Sequence, residues 1–272
     1  MISRPIDASR WWLGFGATVA AAIGLIAALM VVAPVSAAPP QPVVIPNNGS
    51  LLGLGYGGLS VSWQKFVNGQ PAATNPLLDT TGRNCAVGQH GPVFFLVGGF
   101  GPSKVNRDCT VPAGKLLFFP LVNCNWIHVP LDVPGIGDDK TTVDEVWAAL
   151  QSPTEGCGPR DNASGLSASV DKVAIDNLDP STTPYYVCAG PSSKGCTAPA
   201  FSLTFPADNL FTSFGVPLPA GTYFPVVADG YYLLLAPLRP GVHTIAFGGS
   251  AGVASNAFTQ DITYTLRVTD SD

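Results

Sequence analysis

Charge is scarce in this chain. Of its 272 residues only 11% are Asp, Glu, Lys or Arg, with 13 basic side chains against 18 acidic ones. So few cations exclude the extended basic surface that nucleic-acid binding needs. The three histidines, His90, His128 and His243, are far apart in sequence and form no H-x-x-H or H-E-x-x-H pair, so zinc catalysis is not signalled. The only two glutamates are Glu145 and Glu155. Glycoside hydrolysis works with two carboxylates about 5–10 Å apart, and no pair here singles itself out. The cysteines lack C-x-x-C spacing, which argues against a cysteine-bound metal.

The remaining composition points one way. A hydrophobic content of 46% is too high for a disordered chain. The 30 glycines and 26 prolines argue against a helical bundle, because both residues break helix interiors.

Residues 1–10 carry Arg4 and Arg10 against Asp7, and residues 11–35 carry no charge. Val35-Ser36-Ala37-Ala38-Pro39 follows, with small residues placed for signal-peptidase cleavage after Ala37. The expectation is a signal peptide at 1–37. The rival is an uncleaved anchor, since the apolar run is long enough to span a bilayer; Pro34 and the small-residue box favour cleavage. Removing Arg4, Arg10 and Asp7 leaves 11 basic and 17 acidic residues, a net charge of −6. No later apolar run is long enough to span a membrane.

All six cysteines fall after residue 37, and an even count outside the cytoplasm reads as disulfides. Cys85 and Cys109 flank one apolar strand and its return. Cys188 and Cys196 can close a short loop around Gly190, Pro191 and Gly195. Cys124 and Cys157 remain by elimination.

A linker is expected at 38–58, proline-rich at first and then glycine-rich. Its Gly53-Leu54-Gly55-Tyr56-Gly57-Gly58 matches G-x-G-x-x-G. A dinucleotide site needs a strand before that motif and a helix after it, whereas a strand-like stretch follows here. The expected domain spans 59–272. Period-two alternation or short apolar runs between turn residues predict strands at 59–63, 93–97, 116–119, 167–175, 201–205, 231–235, 242–247 and 262–268. One short helix is expected near 142–151. Thr142 and Glu145 make a capping box, Val143, Val146, Trp147 and Leu150 share a face, and Pro153 stops it. About eight strands and one helix predict a mainly-β, two-sheet β-sandwich, jelly-roll or immunoglobulin-like.

The final 40 residues, with the turn Leu238-Arg239-Pro240-Gly241 feeding a penultimate strand, resemble immunoglobulin-like and jelly-roll domains. Three segments, Asn84-Cys85-Ala86-Val87-Gly88-Gln89, Cys109-Thr110-Val111-Pro112-Ala113-Gly114-Lys115 and Asp229-Gly230-Tyr231-Tyr232, make the whole chain look like uncharacterised secreted bacterial β-sandwich proteins. That resemblance implies export and a sandwich fold, and no catalytic residue.

Several motifs carry chemistry on paper. Gly248-Gly249-Ser250-Ala251-Gly252 matches the G-x-S-x-G elbow, but in that fold a histidine follows the serine, and here all three precede Ser250. Ser62-Trp63-Gln64-Lys65 matches S-x-x-K without its partner motifs. His243 sits in an apolar strand and reads as a core histidine. Asp138, Asp139 and Asp144 lie on or beside a Gly/Pro loop whose oxygens suit a structural calcium ion; the other reading is a solvated acidic loop with acids at a helix start. No other cofactor is expected. Asp229, beside Gly230, is the carboxylate to test first, although Asp-Gly also favours a hairpin turn. Among the aromatics, Trp63, Trp126 and Tyr231 are the candidate ligand-stacking residues.

With no coherent catalytic constellation, the first expectation is a secreted or cell-envelope, non-catalytic module that binds a glycan or another extracellular partner. A secreted carbohydrate-active or ester hydrolase, and a structural envelope protein, are the alternatives.

Overall fold

The computed structural model describes residues 41–48, 53, 55–100, 104–253 and 257–270, so the expected signal peptide at 1–37 lies outside the described residues. None of the described helices is long and apolar enough to cross a membrane. The described residues form two sheets and two α-helices. The mainly-β expectation therefore holds, with one helix more than expected.

The first sheet contains β1 (Val93–Phe95), β3 (Leu116–Ile127), β6 (Tyr186–Ala189), β7 (Phe201–Phe205) and β8 (Gly221–Leu235). Its order is β1-β3-β8-β6, and β7 also pairs with β8. The second sheet contains β2 (Lys104–Val111), β4 (Ser164–Val170), β5 (Val173–Ala174), β9 (Gly241–Ala251) and β10 (Phe258–Val268), in the order β2-β10-β9-β4-β5. Pairing is antiparallel except for β1 with β3 and β2 with β10.

Strand alternation explains how the sheets meet. Leu117, Phe119, Tyr231, Leu233 and Leu235 point from the first sheet into a core shared with Ile245, Phe247, Ile262, Tyr264 and Leu266 of the second. Phe119 and Phe247 meet there with ring centroids 4.6 Å apart. The alternate residues Phe118, Tyr232 and Leu234 face the opposite way and pack on the helix α1 (Tyr56–Asn68). Because β3 and β8 are covered on both faces, they read as continuous apolar runs, not alternating ones.

Helix α1 replaces the strand expected at 59–63. Leu59-Ser60-Val61-Ser62-Trp63 does alternate, yet Leu59, Trp63, Phe66 and Val67 also recur at helical spacing, and all four are buried in one cluster. Each such side chain contributes about 1.5–3 kcal/mol by leaving water. The helix also corrects the reading of 53–58, since a helix, not a strand, begins within the glycine motif at Tyr56. Gly57 is required there by packing, because a Cβ would collide with the Thr197 side chain. S-x-x-K likewise lies within α1, where Ser62 Oγ donates to the Gly58 carbonyl. The expected linker is partly structured too: Val44 bridges Leu235, and Ile45 N–H donates to the Leu234 carbonyl.

The second helix, α2 (Val143–Leu150), carries the expected capping box between Thr142 and Glu145. Its Val146, Trp147 and Leu150 pack against Cys188 and Val227. The strand expected at 167–175 is a hairpin, β4 and β5, turned at Asp171 and Lys172, both with positive φ. Disulfides join Cys85 to Cys109, Cys124 to Cys157 and Cys188 to Cys196.

Candidate functional site

Strand β1 pairs with β3 only from Leu116 to Phe118. Beyond that point the outer edge of β3 has no strand partner among the described residues. A cavity of about 570 Å³ opens along this edge. Strand β3 contributes Asn123, Cys124, Asn125 and Trp126; α1 contributes Trp63, Gln64, Val67 and Asn68. The segment after β1 adds Gly98, Gly99 and Phe100. The connection after β7 adds Leu210, Phe211 and Phe214, and the start of β10 adds Phe258 and Gln260; Leu77 and Cys157 complete the lining.

Several polar groups in this lining are held by one another or by the backbone. Asn68 Nδ2 donates to the Gln64 carbonyl at 2.8 Å and to Gln64 Oε1 at 3.3 Å. Asn125 Nδ2 donates to the same Oε1 at 2.7 Å. Gln64 Nε2 and the Tyr232 hydroxyl are buried and form no well-directed hydrogen bond; Tyr232 stands beside Gln64 and Asn123, and burial pushes its pKa up. Gln260 Oε1 accepts from Gly99 N–H at 3.3 Å, and its Nε2 donates to the Pro120 and Leu121 carbonyls. A Cβ at Gly98 would meet the end of the Gln260 side chain, so glycine here leaves that amide its place in the wall. Trp63 is buried and donates to the Leu96 carbonyl at 2.9 Å. At the mouth, Phe100 and Phe214, each 53% exposed, meet edge to face at 4.8 Å.

The cavity thus brings together two of the three expected ligand-stacking residues, Trp63 and Trp126. It does not include Tyr231, which is buried between the sheets with its hydroxyl near the Arg160 and Pro180 carbonyls. Sequence reasoning missed the amides Gln64, Asn68, Asn123, Asn125 and Gln260. The sequence offers no signal for them: Gln64 is followed by Lys65 and Gln260 stands between Thr259 and Asp261, and only the structure shows that Gln64, Asn68 and Gln260 are buried.

Arg107 was also missed. It is almost fully buried on β2, and its guanidinium donates to the Asp79 carbonyl at 2.7 Å and the Val97 carbonyl at 3.2 Å, while lying 5.5 Å from the Tyr264 ring centroid. These contacts fix the backbone beside Leu77 and Gly98, two cavity residues.

Asp229 is not in a hairpin turn. It lies inside β8, where apolar residues on both sides continue the strand, and it is 1% exposed. Its Oδ2 accepts from Gln151 Nε2 at 2.8 Å, the Tyr186 hydroxyl at 3.2 Å and Arg160 N–H at 3.3 Å; its Oδ1 has no partner. Burial lifts its pKa to about 7 against the opposing pull of those hydrogen bonds. The carboxyl does not line the cavity.

Ser250 lies on β9, not on an elbow, and its Oγ sits 2.8 Å from Thr259 Oγ1 on β10. His243 is seven residues away on the same strand, roughly 23 Å at strand rise. It is half-buried instead of core, with Nδ1 2.7 Å from Asp171 Oδ2 and Nε2 2.9 Å from the Arg239 carbonyl.

The three expected calcium ligands do not converge. Asp138 Oδ1 lies 3.1 Å from His128 Nδ1 and accepts from Lys140 N–H, Asp139 stands near Lys140, and Asp144 occupies the first turn of α2. Among the described residues no group of three or more His, Cys, Asp or Glu side chains is arranged to hold a metal ion. No family model, no curated protein and no solved structure matches this chain.

Proposed function

We propose that the protein is an exported, non-catalytic binding module whose cavity takes an uncharged glycan or other small extracellular ligand. The observation that carries this reading is the lining itself. It contains two tryptophans, four phenylalanines and five side-chain amides, and no charged residue. Aromatic faces cover apolar ligand surface while amides satisfy hydroxyls, without asking a ligand for a counter-charge. Export is supported by the signal-like residues 1–37 and by three disulfides, which persist in an oxidising compartment. A sandwich of jelly-roll or immunoglobulin-like type is supported by the core shared between the sheets, although the parallel pairs β1/β3 and β2/β10 depart from the wholly antiparallel pattern. The resemblance to secreted bacterial β-sandwich proteins agrees with both.

The hydrolase alternative loses its best carboxylate, because Asp229 is enclosed away from the cavity. A glycan array and a broad hydrolase screen on the purified protein test the proposal. The expected result is saturable binding without turnover, abolished by Asn123→Trp, which fills the cavity from a half-buried position. Turnover lost on Asp229→Ala would favour the hydrolase, and silence in both assays the structural protein.

A further inference from the structure

We propose that the ligand is an uncharged amphiphile that enters head first, with a hydroxyl-bearing head among the amides and an alkyl or aryl body leaving through the phenylalanine rim. This deepens the binding reading above and rests on it.

The cavity is not a simple greasy pocket, since buried amides share its lining with apolar side chains. Its most buried side chains include the amides Gln64, Asn68 and Gln260, no more than 5% exposed, beside Trp63 and Val67, whereas Phe100 and Phe214 are half exposed. Two exposed phenylalanines from separate connections, in edge contact beside an open cavity, form an apolar surface that nothing else in the described chain covers.

Besides the buried Gln64 Nε2, the lining leaves polar atoms free on both faces of β3, for Asn125 faces α1 through Gln64 while Trp126 packs with α2. Asn68 Nδ2 is identified by its bond to a main-chain carbonyl, so the Gln64 atom facing it is Oε1. The Asn125 atom bound to that Oε1 is then Nδ2, which leaves Asn125 Oδ1 as the free end of the network. Among the described residues neither Asn125 Oδ1 nor Trp126 Nε1 has a hydrogen-bond partner, and both residues are half-buried in the lining. A head with several hydroxyls can both donate to Asn125 Oδ1 and accept from Trp126 Nε1; a carboxylate cannot donate and an ammonium cannot accept. Neither ion finds a counter-charge in the lining, and each would lose its hydration on entry. A free sugar would satisfy the amides and leave the rim wet, whereas a plain hydrocarbon would cover the rim and strand the amides.

Calorimetric titration of the full chain with three probes tests this: n-octyl β-glucoside below its micelle concentration, methyl β-glucoside and octanoate. Octyl glucoside is expected to bind at least about tenfold tighter than methyl glucoside, given the apolar area of its chain, and at least about tenfold tighter than octanoate. The double variant Phe100→Ala/Phe214→Ala, at exposed positions, should bring the two glucosides within about threefold of each other at an unchanged melting temperature. Trp126→Phe, which keeps the ring and removes the donor, should weaken octyl glucoside about three- to tenfold. Equal binding of the two glucosides by the wild type would overturn the amphiphile and leave the binding reading standing. Octanoate binding as tightly as octyl glucoside, or an octyl preference untouched by the double variant, would also overturn it. Failure of all three probes together with a silent glycan array would sink both.

Discussion

The Asp229 carboxyl is buried with three donors on one oxygen and none on the other, and its pKa rises from an ordinary 3.8 to about 7. Between those two values the folded chain holds a proton that the unfolded chain releases. Stability from this group is therefore greatest at low pH, falls as pH rises from about 4 to about 7, and levels off above. The whole effect is on the order of 4 kcal/mol. Asp229→Asn keeps an acceptor for the three donors and removes the titration. It should flatten the decline in urea-unfolding stability between pH 5 and 8 and leave the variant at least as stable as the wild type at pH 8. An unchanged slope would assign the pH dependence to other groups. Arg107 illustrates the opposite solution to a buried charge. Its guanidinium spreads its donors over carbonyls and its face over Tyr264, and it thereby holds the backbone on one side of the cavity.

Helix α2 owes its start to the reciprocal bonds of Thr142 and Glu145, whose carboxyl those bonds hold below its usual pKa. Thr142→Ala should cost about 1 kcal/mol of unfolding free energy, with Thr142→Ser nearly neutral; a loss as large for serine as for alanine would contradict the capping role. This helix was legible because its cap, its stripe and its stop all agree within twelve residues. Helix α1 was not, because a five-residue window around Ser60 and Ser62 satisfies period two, and the helical stripe appears only when Phe66 and Val67 are included. Strand β2 escaped notice because Arg107 stands at an inward position of its alternation. Strand β6 is only four residues long. The Asp229-Gly230 pair misled for a related reason: turn chemistry is local, and the flanking apolar runs that override it extend across all of β8. Of the cavity, the tryptophans were legible in the sequence but the amides were not, since Gln64 beside Lys65 and Gln260 between Thr259 and Asp261 look the same whether they face a pocket or solvent.

Across the whole molecule, two sheets share one core and disulfides fasten the segments around it. The bridges close loops of 24, 33 and 8 residues. In the chain-entropy account each contributes about 3 kcal/mol, which together is comparable to the entire stability of an ordinary domain. Reduction under native conditions should abolish the cooperative thermal transition above 37 °C. Six free thiols in freshly purified native protein would contradict the disulfide framework outright. The central claim is that this scaffold serves an uncharged cavity along the open edge of β3. The most direct measurement follows the side-chain amide resonances of Gln64, Asn68, Asn125 and Gln260 while octyl glucoside is titrated into isotopically labelled protein. Saturable shifts confined to these amides and to the indoles of Trp63 and Trp126 are the expected result; shifts centred elsewhere, or none at saturating probe, would contradict the account.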